Sequence, residues 1–157
     1  MPKDTKAVKA SFKAASPPAS SETHTKTGTI LVLEDEPMPR RVVRTVLTRK
    51  GYTVLEAADG PEALAVWAAH RSEIELIFAD MEIPGELSGL QLCQRAMAEK
   101  QGLKVIITSG YITDQVDLKQ VAKASILFLP KPYPPESLLE VIGECLQSAR
   151  ANKSPDR

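Results

Sequence analysis

The sequence predicts an α/β chain, a doubly wound five-stranded parallel sheet with five helices. Two patterns predict it. Short apolar runs closed by turn-forming or charged residues alternate with segments of helical apolar spacing, and the pair repeats five times. The runs also end in residues that carry chemistry, above all Leu76-Ile-Phe-Ala-Asp80, where a buried-type strand stops at a carboxylate. In an open parallel sheet, ligands bind in the crevice beyond the carboxyl ends of the strands.

The elements follow in order. Ile30-Leu-Val-Leu33 is a buried-type strand ending in Glu34-Asp-Glu36. Pro37 and Pro39 suit a loop or a first helical turn, where a missing N–H costs little. Val42, Val43, Val46 and Leu47 then repeat with helical spacing, and Gly51 marks the stop. Tyr52–Ala57 is the second strand. Asp59-Gly-Pro61 opens a helix whose apolar face is read as Leu64, Trp67 and Ala68. Ile74–Ala79 is the third strand and carries Asp80. Pro84–Gly89 leads into a helix with Leu90, Cys93 and Met97 on one side. Lys104–Thr108 is the fourth strand, followed by a weakly apolar helix from about Asp114 to Ala122. Ile126–Leu129 is the fifth strand, ending in Pro130-Lys-Pro132. A last helix from about Pro135 carries Leu138, Leu139, Ile142, Cys145, Leu146 and Ala149.

The 157 residues suit one domain with tails, read as a basic disordered segment 1–27, a folded domain 28–148 and a polar tail 149–157. Apolar content of 43% and charged content of 25% are those of a soluble globular protein. The formal net charge is zero, which argues against binding nucleic acid through bulk charge. Five lysines against two acids make segment 1–27 basic, and residues 148–157 carry +2, so the middle is acidic by five charges. No window approaches a membrane span, residues 1–27 show no apolar core of signal-peptide type, and Cys93 and Cys145 form no C-x-x-C pair. A cytoplasmic protein with small buried thiols is expected. His24 and His70 are read as solvated. Neither a G-x-G-x-x-G turn nor a P-loop is present, so no nucleotide site of those kinds is expected.

The strand ends bring a constellation to one edge: Glu34 and Asp35, then Asp80, then Thr108 or Ser109, then Lys131. Three clustered carboxylates repel, and their pKa values rise unless a cation is present. Mg²⁺ answers this with oxygen ligands and retained waters. A carboxylate with Mg²⁺, a lysine and a hydroxyl suits a phosphoryl group, with the carboxylate as nucleophile and an aspartyl phosphate as product.

At this point the chain resembles a receiver (response-regulator) domain of two-component signalling, of flavodoxin-like fold. The motifs are Ile30-Leu-Val-Leu-Glu-Asp-Glu-Pro37, Ala58-Asp-Gly-Pro-Glu-Ala-Leu64, Asp80 before Pro84-Gly85, Thr108-Ser-Gly-Tyr111 and Phe128-Leu-Pro-Lys-Pro-Tyr133, and they cover about residues 29–148. The resemblance implies that Asp80 is the phosphoacceptor. It implies Mg²⁺ held by Asp80, by Asp35 directly, by Glu34 through water and by the Glu82 backbone carbonyl. It implies Ser109 and Lys131 as phosphoryl-binding groups, with Ser109 and Phe128 as switch residues. The acidic pair is Glu-Asp rather than Asp-Asp. The Asp80-to-Gly89 loop is one residue longer than in the most compact members. Phe128 stands where Tyr is frequent and lacks a hydroxyl latch, and Glu82 occupies a position where the family tunes dephosphorylation.

The chain starts with Met, is expected to be complete, and carries no DNA-binding or catalytic output after its last helix. The expectation is therefore a phosphoprotein, not an enzyme, that takes its phosphoryl group from a histidine kinase or histidine phosphotransferase. It would relay that group or alter binding to a downstream target protein, without contacting nucleic acid or membrane. Three alternatives stand beside it. A haloacid-dehalogenase-type phosphotransferase would need an Asp two residues after Asp35, where Pro37 stands. A Toprim-like metal nuclease would leave Lys131 and Ser109 unused. A receiver-fold scaffold with vestigial phosphorylation would need none of the five filled site positions. A receiver excised from a hybrid kinase, with 1–27 as linker, is also compatible.

Overall fold

The five apolar runs form one parallel sheet in the order β2-β1-β3-β4-β5. A computed structural model of the chain describes residues 27–110 and 125–152. The elements are β1 (Thr29–Leu33), α1 (Pro37–Arg49), β2 (Thr53–Ala57), α2 (Gly60–His70), β3 (Ile74–Asp80), α3 (Gly89–Glu99), β4 (Lys104–Ser109), β5 (Leu127–Pro130) and α4 (Pro135–Asn152). The α/β parallel architecture is as expected, with four helices among the described residues. The weak helix expected over 114–122 lies outside them, as does most of the basic segment 1–27.

Strand alternation explains why whole runs are apolar. Ile30 and Val32 face one layer with Leu76, Phe78, Ile106 and Leu129, under α1 and α4. Leu31 and Leu33 face the other with Ile77, Ala79, Val105 and Ile107, under α2 and α3. With helices on both faces, both sides of a central strand are covered, so its residues are apolar on both faces. Ile30 to Leu33 are all fully buried.

Three helical faces differ from the sequence reading. In α1, Val43 and Leu47 point inward while Val42 is 52% exposed, since one residue along a helix turns the side chain by a wide angle. In α2, the buried face is Gly60, Ala63 and Trp67, and Ala68 is exposed. The large Trp67 ring sets the face, and small Ala63, one turn earlier, gives little hydrophobic signal. In α3, Leu90, Cys93 and Met97 all pack on the core side as expected, but Leu92 and Ala96, absent from the sequence reading, are buried more deeply than Leu90 and Met97. The last helix runs to Asn152, past the expected boundary at 148. Half-buried Ala149 extends its packed face, and Arg150 reaches Glu75 at 4.0 Å.

Caps fix where the helices start. Asp59 accepts from the Glu62 N–H at 2.8 Å, and the Glu62 carboxylate accepts from the Ala58 N–H at 2.7 Å. Ser88 and Gln91 form a reciprocal capping box on α3. No described helix is long and apolar enough to cross a membrane. Strand order reverses direction between β1 and β3, and the crevice outside their carboxyl ends is where the site lies.

Candidate functional site

The acidic loop after β1 is held by backbone before any side chain acts. The Glu34 N–H donates to the Ala57 carbonyl at 3.1 Å, which extends the β1–β2 pairing by one residue and keeps Glu34 buried. Arg40, one turn into α1, donates from Nη1 to the Glu34 carbonyl at 2.8 Å. Glu34 Oε1 accepts from the Glu36 N–H at 3.2 Å.

Asp80 ends β3 opposite Thr108, and the Met81 N–H donates to the Thr108 carbonyl at 2.9 Å. The chain then turns so that the Glu82 N–H donates to Asp80 Oδ1 at 2.8 Å. Gly89, the first residue of α3, lies against this turn. A Cβ there would overlap the Asp80 carbonyl oxygen and crowd the Met81 Cα, so only glycine lets α3 approach the strand end.

The Lys131 N–H donates to the Ser109 carbonyl at 2.9 Å, which sets the lysine beside the end of β4. Its Nζ donates to Asp80 Oδ2 at 2.8 Å and to Glu34 Oε2 at 3.0 Å. Oxygens of Glu34, Asp35 and Asp80 lie within 4.8 Å of one another. Ser109 and Thr108 point to opposite faces of the sheet, as neighbours in a strand must. The Ser109 hydroxyl donates to Glu82 Oε1 at 2.8 Å, beside Asp80, while the buried Thr108 hydroxyl has no hydrogen-bond partner among the described residues. Of the two hydroxyls left open by the sequence, Ser109 is the one brought to the site.

Burial dominates the charge state of Glu34 and raises its pKa. The Lys131 hydrogen bond opposes this, and the Asp80 charge adds to it. Burial alone would lower the pKa of Lys131, but its bonds to Asp80 and Glu34 outweigh that and hold the ammonium well above its ordinary value. Two buried carboxylates, Glu34 and Asp80, thus share one lysine with half-buried Asp35 alongside, and the carboxylates outnumber the ammonium. Hard oxygen donors with surplus charge fit a small divalent cation such as Mg²⁺.

The structure therefore gathers Glu34, Asp35, Asp80, Glu82, Ser109 and Lys131 at one edge. Phe128 is half-buried on β5, paired with Ile107, and packs into the layer under α2 and α3. His70 stands near Glu73 at the end of α2, at 3.3 Å, away from this edge. The sequence reading gives no role to Arg40 or Gly89, and Tyr133 enters it only as the end of the Phe128–Tyr133 motif. Tyr133 packs edge-on against Phe78, ring centroids 5.8 Å apart, and burial pushes its phenol up to about 12. An aromatic residue two after the strand-end lysine was the only signal for it. Nothing in the periodicity pointed to Arg40 or to the tight approach at Gly89.

Comparison with known proteins agrees with this arrangement. Residues 30–143 match the family model of the response regulator receiver domain. Sensor kinase CckA of Brucella abortus (strain 2308) is 34% identical over 119 residues, covering 76% of this chain and 12% of the kinase. Sporulation initiation phosphotransferase F of Bacillus subtilis (strain 168) is 26% identical over 119 residues, covering 74% of this chain and 92% of that protein. The crystal structure of the receiver domain from the hybrid histidine kinase CckA superposes with a TM-score of 0.65 at 36% identity, over 76% of this chain and all of that one. The chain spans less than half the length of several of the curated relatives it matches. With a parallel sheet in the order 2-1-3-4-5, an acidic cluster at the switch point and a family match over most of its length, the chain belongs to the response regulator receiver domain family.

Proposed function

We propose that this chain is a phosphoacceptor that takes a phosphoryl group onto Asp80 from a phosphohistidine of a histidine kinase or histidine phosphotransferase. It is not an enzyme with an external product. The observation that carries the reading is the setting of the Asp80 carboxylate. It is 4% exposed, with Oδ2 on the Lys131 ammonium, Oδ1 on the Glu82 N–H, and Glu34 and Asp35 alongside.

In the transfer, an Asp80 carboxylate oxygen forms the new P–O bond while the P–N bond of the phosphohistidine breaks. The electron pair of that bond stays on the departing imidazole nitrogen, so Asp80 needs no general base. The Glu82 N–H orients the carboxylate. Lys131, held as ammonium, turns from the two carboxylates to a phosphoryl oxygen, and Ser109 offers its hydroxyl to another. Glu34, Asp35, Asp80 and the Glu82 carbonyl would hold Mg²⁺, which when bound offsets the charge of the phosphoryl oxygens. Phe128 would report the Ser109 movement by changing its packing.

The donor has a surface to lie on. Beside Lys131, a groove of about 730 Å³ runs between α1 and α4, lined by Met38, Val42, Val46, Tyr133 and Leu138. Met38 is 69% exposed and is the second residue of α1, next to the acidic loop. A partner helix seated here would bring its histidine to Asp80. The same phosphorylated edge would then engage a downstream target or pass the group on. We place this activity in the cytoplasm, with no part for nucleic acid or membrane.

The test is exposure to a small acyl-phosphate donor with and without Mg²⁺, read by intact mass. One Mg²⁺-dependent phosphoryl adduct, lost in Asp80→Asn, supports the reading. A folded wild-type protein that takes no phosphoryl group from this donor or from a phosphorylated histidine phosphotransferase would favour a scaffold instead.

A further inference from the structure

The Glu82 side chain has no part in the transfer just described, yet it holds the Ser109 hydroxyl. Ser109 is buried at the end of β4, and its Oγ donates to Glu82 Oε1 at 2.8 Å. Glu82 is itself exposed, and its backbone N–H is committed to Asp80 Oδ1. One residue therefore orients the acceptor through its main chain and engages the neighbouring hydroxyl through its side chain.

A serine hydroxyl has one proton to donate. Given to the Glu82 carboxylate, it cannot also be given to a phosphoryl oxygen on Asp80. Hydrogen bonds to a carboxylate are stronger than those between neutral groups, so this is a firm resting partner. An incoming phosphoryl group also carries negative charge and repels the same carboxylate. Because Glu82 is exposed, its side chain can leave for solvent without disturbing the core.

We infer that Glu82 is a positioning residue that latches the Ser109 hydroxyl in the resting state and must release it for Asp80 to be phosphorylated. The inference rests on the phosphoacceptor reading of Asp80. The bond carries a cost that is met when the phosphoryl group arrives, so the identity of residue 82 sets the rate of phosphorylation through Ser109. Two effects of the Glu82 charge are separable. Repulsion of the phosphoryl group acts whether or not a hydroxyl stands at 109, whereas the latch acts only when one does.

The test is a double-mutant cycle on the rate of acyl-phosphate-driven adduct formation at saturating Mg²⁺, using wild type, Glu82→Gln, Ser109→Ala and the double variant. Glu82→Ala repeats the cycle with the acceptor removed altogether. With Ser109 present, Glu82→Gln is expected to speed adduct formation about five- to tenfold, and in the Ser109→Ala background about twofold or less. Equal gains in both backgrounds would reduce Glu82 to bulk charge and overturn the latch, as would no gain in either. Absence of an Asp80 adduct in the wild type would instead overturn the phosphoacceptor reading, and the latch with it. A merely structural role for Glu82 would move thermal stability without this coupling.

Discussion

Lys131 Nζ lies 2.8 Å from Asp80 Oδ2 while also reaching Glu34 Oε2 at 3.0 Å, so one ammonium from the end of β5 ties together carboxylates from the ends of β1 and β3. The three residues are 97 and 51 positions apart in the chain. Their meeting depends on β1, β3, β4 and β5 lying parallel in one sheet with their carboxyl ends on the same edge. Removing the ammonium leaves two buried carboxylates facing each other. Lys131→Met, which keeps the stem and deletes the charge, is predicted to cost about 2 kcal/mol at neutral pH. Urea unfolding measures this, and added Mg²⁺ should stabilise the variant more than the wild type because the ion replaces the missing charge. Equal Mg²⁺ shifts in the two proteins would mean that the ion does not share the lysine's carboxylates.

A pH dependence follows from Glu34. Burial, the main cause, raises its folded pKa above the ordinary 4.5, so the folded protein holds this proton more tightly than the unfolded chain does. That contribution is fully present below pH 4.5 and is lost as pH rises through the folded value. In metal-free buffer, the stability of wild type relative to Glu34→Gln should therefore fall as pH rises from 4.5 toward neutrality. Urea midpoints across that range decide it, and parallel curves would count against the buried-carboxyl account.

Gly89 and Gly143 make opposite predictions for one substitution. At Gly89 a Cβ meets the Asp80 carbonyl, whereas at Gly143, inside α4, it meets nothing within 4 Å. Gly89→Ala is predicted to destabilise by about 2 kcal/mol or more and to slow phosphorylation, because backbone has to move. Gly143→Ala is predicted to stabilise by about 0.5–1 kcal/mol through helix propensity, with phosphorylation unchanged. Denaturant midpoints and adduct rates on the same samples check both.

Ser88 tests the start of α3, where its side chain is bonded to the Gln91 N–H. Ser88→Ala breaks the capping box with Gln91 and should cost about 1 kcal/mol. A loss of several times that size would mean that the start of α3 is strained by its approach to Asp80.

Much of this site was legible because most of its residues follow an apolar run. Glu34, Asp35, Asp80 and Lys131 needed only the strand pattern and the rule that parallel strand ends share an edge. The hydroxyl was not decided by pattern, because Thr108 and Ser109 are adjacent and only the sheet face separates them. The Ser109–Glu82 bond was hidden for a related reason, since the turn after Asp80 has no periodicity from which a side-chain direction can be read. Helix faces were misjudged where alanine competes with larger residues, as with Ala63 and Ala68 around Trp67. Small side chains leave a weak hydrophobic trace yet decide how closely a helix lies on the sheet.

The measurement closest to the central claim locates the phosphoryl group by residue. The protein is treated with an acyl-phosphate donor and Mg²⁺, reduced with borohydride, which converts an aspartyl phosphate to an alcohol, and mapped by peptide mass spectrometry. The account predicts reduction at Asp80 alone, with Asp35, Glu34 and Glu82 intact. Reduction at any of those carboxylates with Asp80 untouched would contradict it.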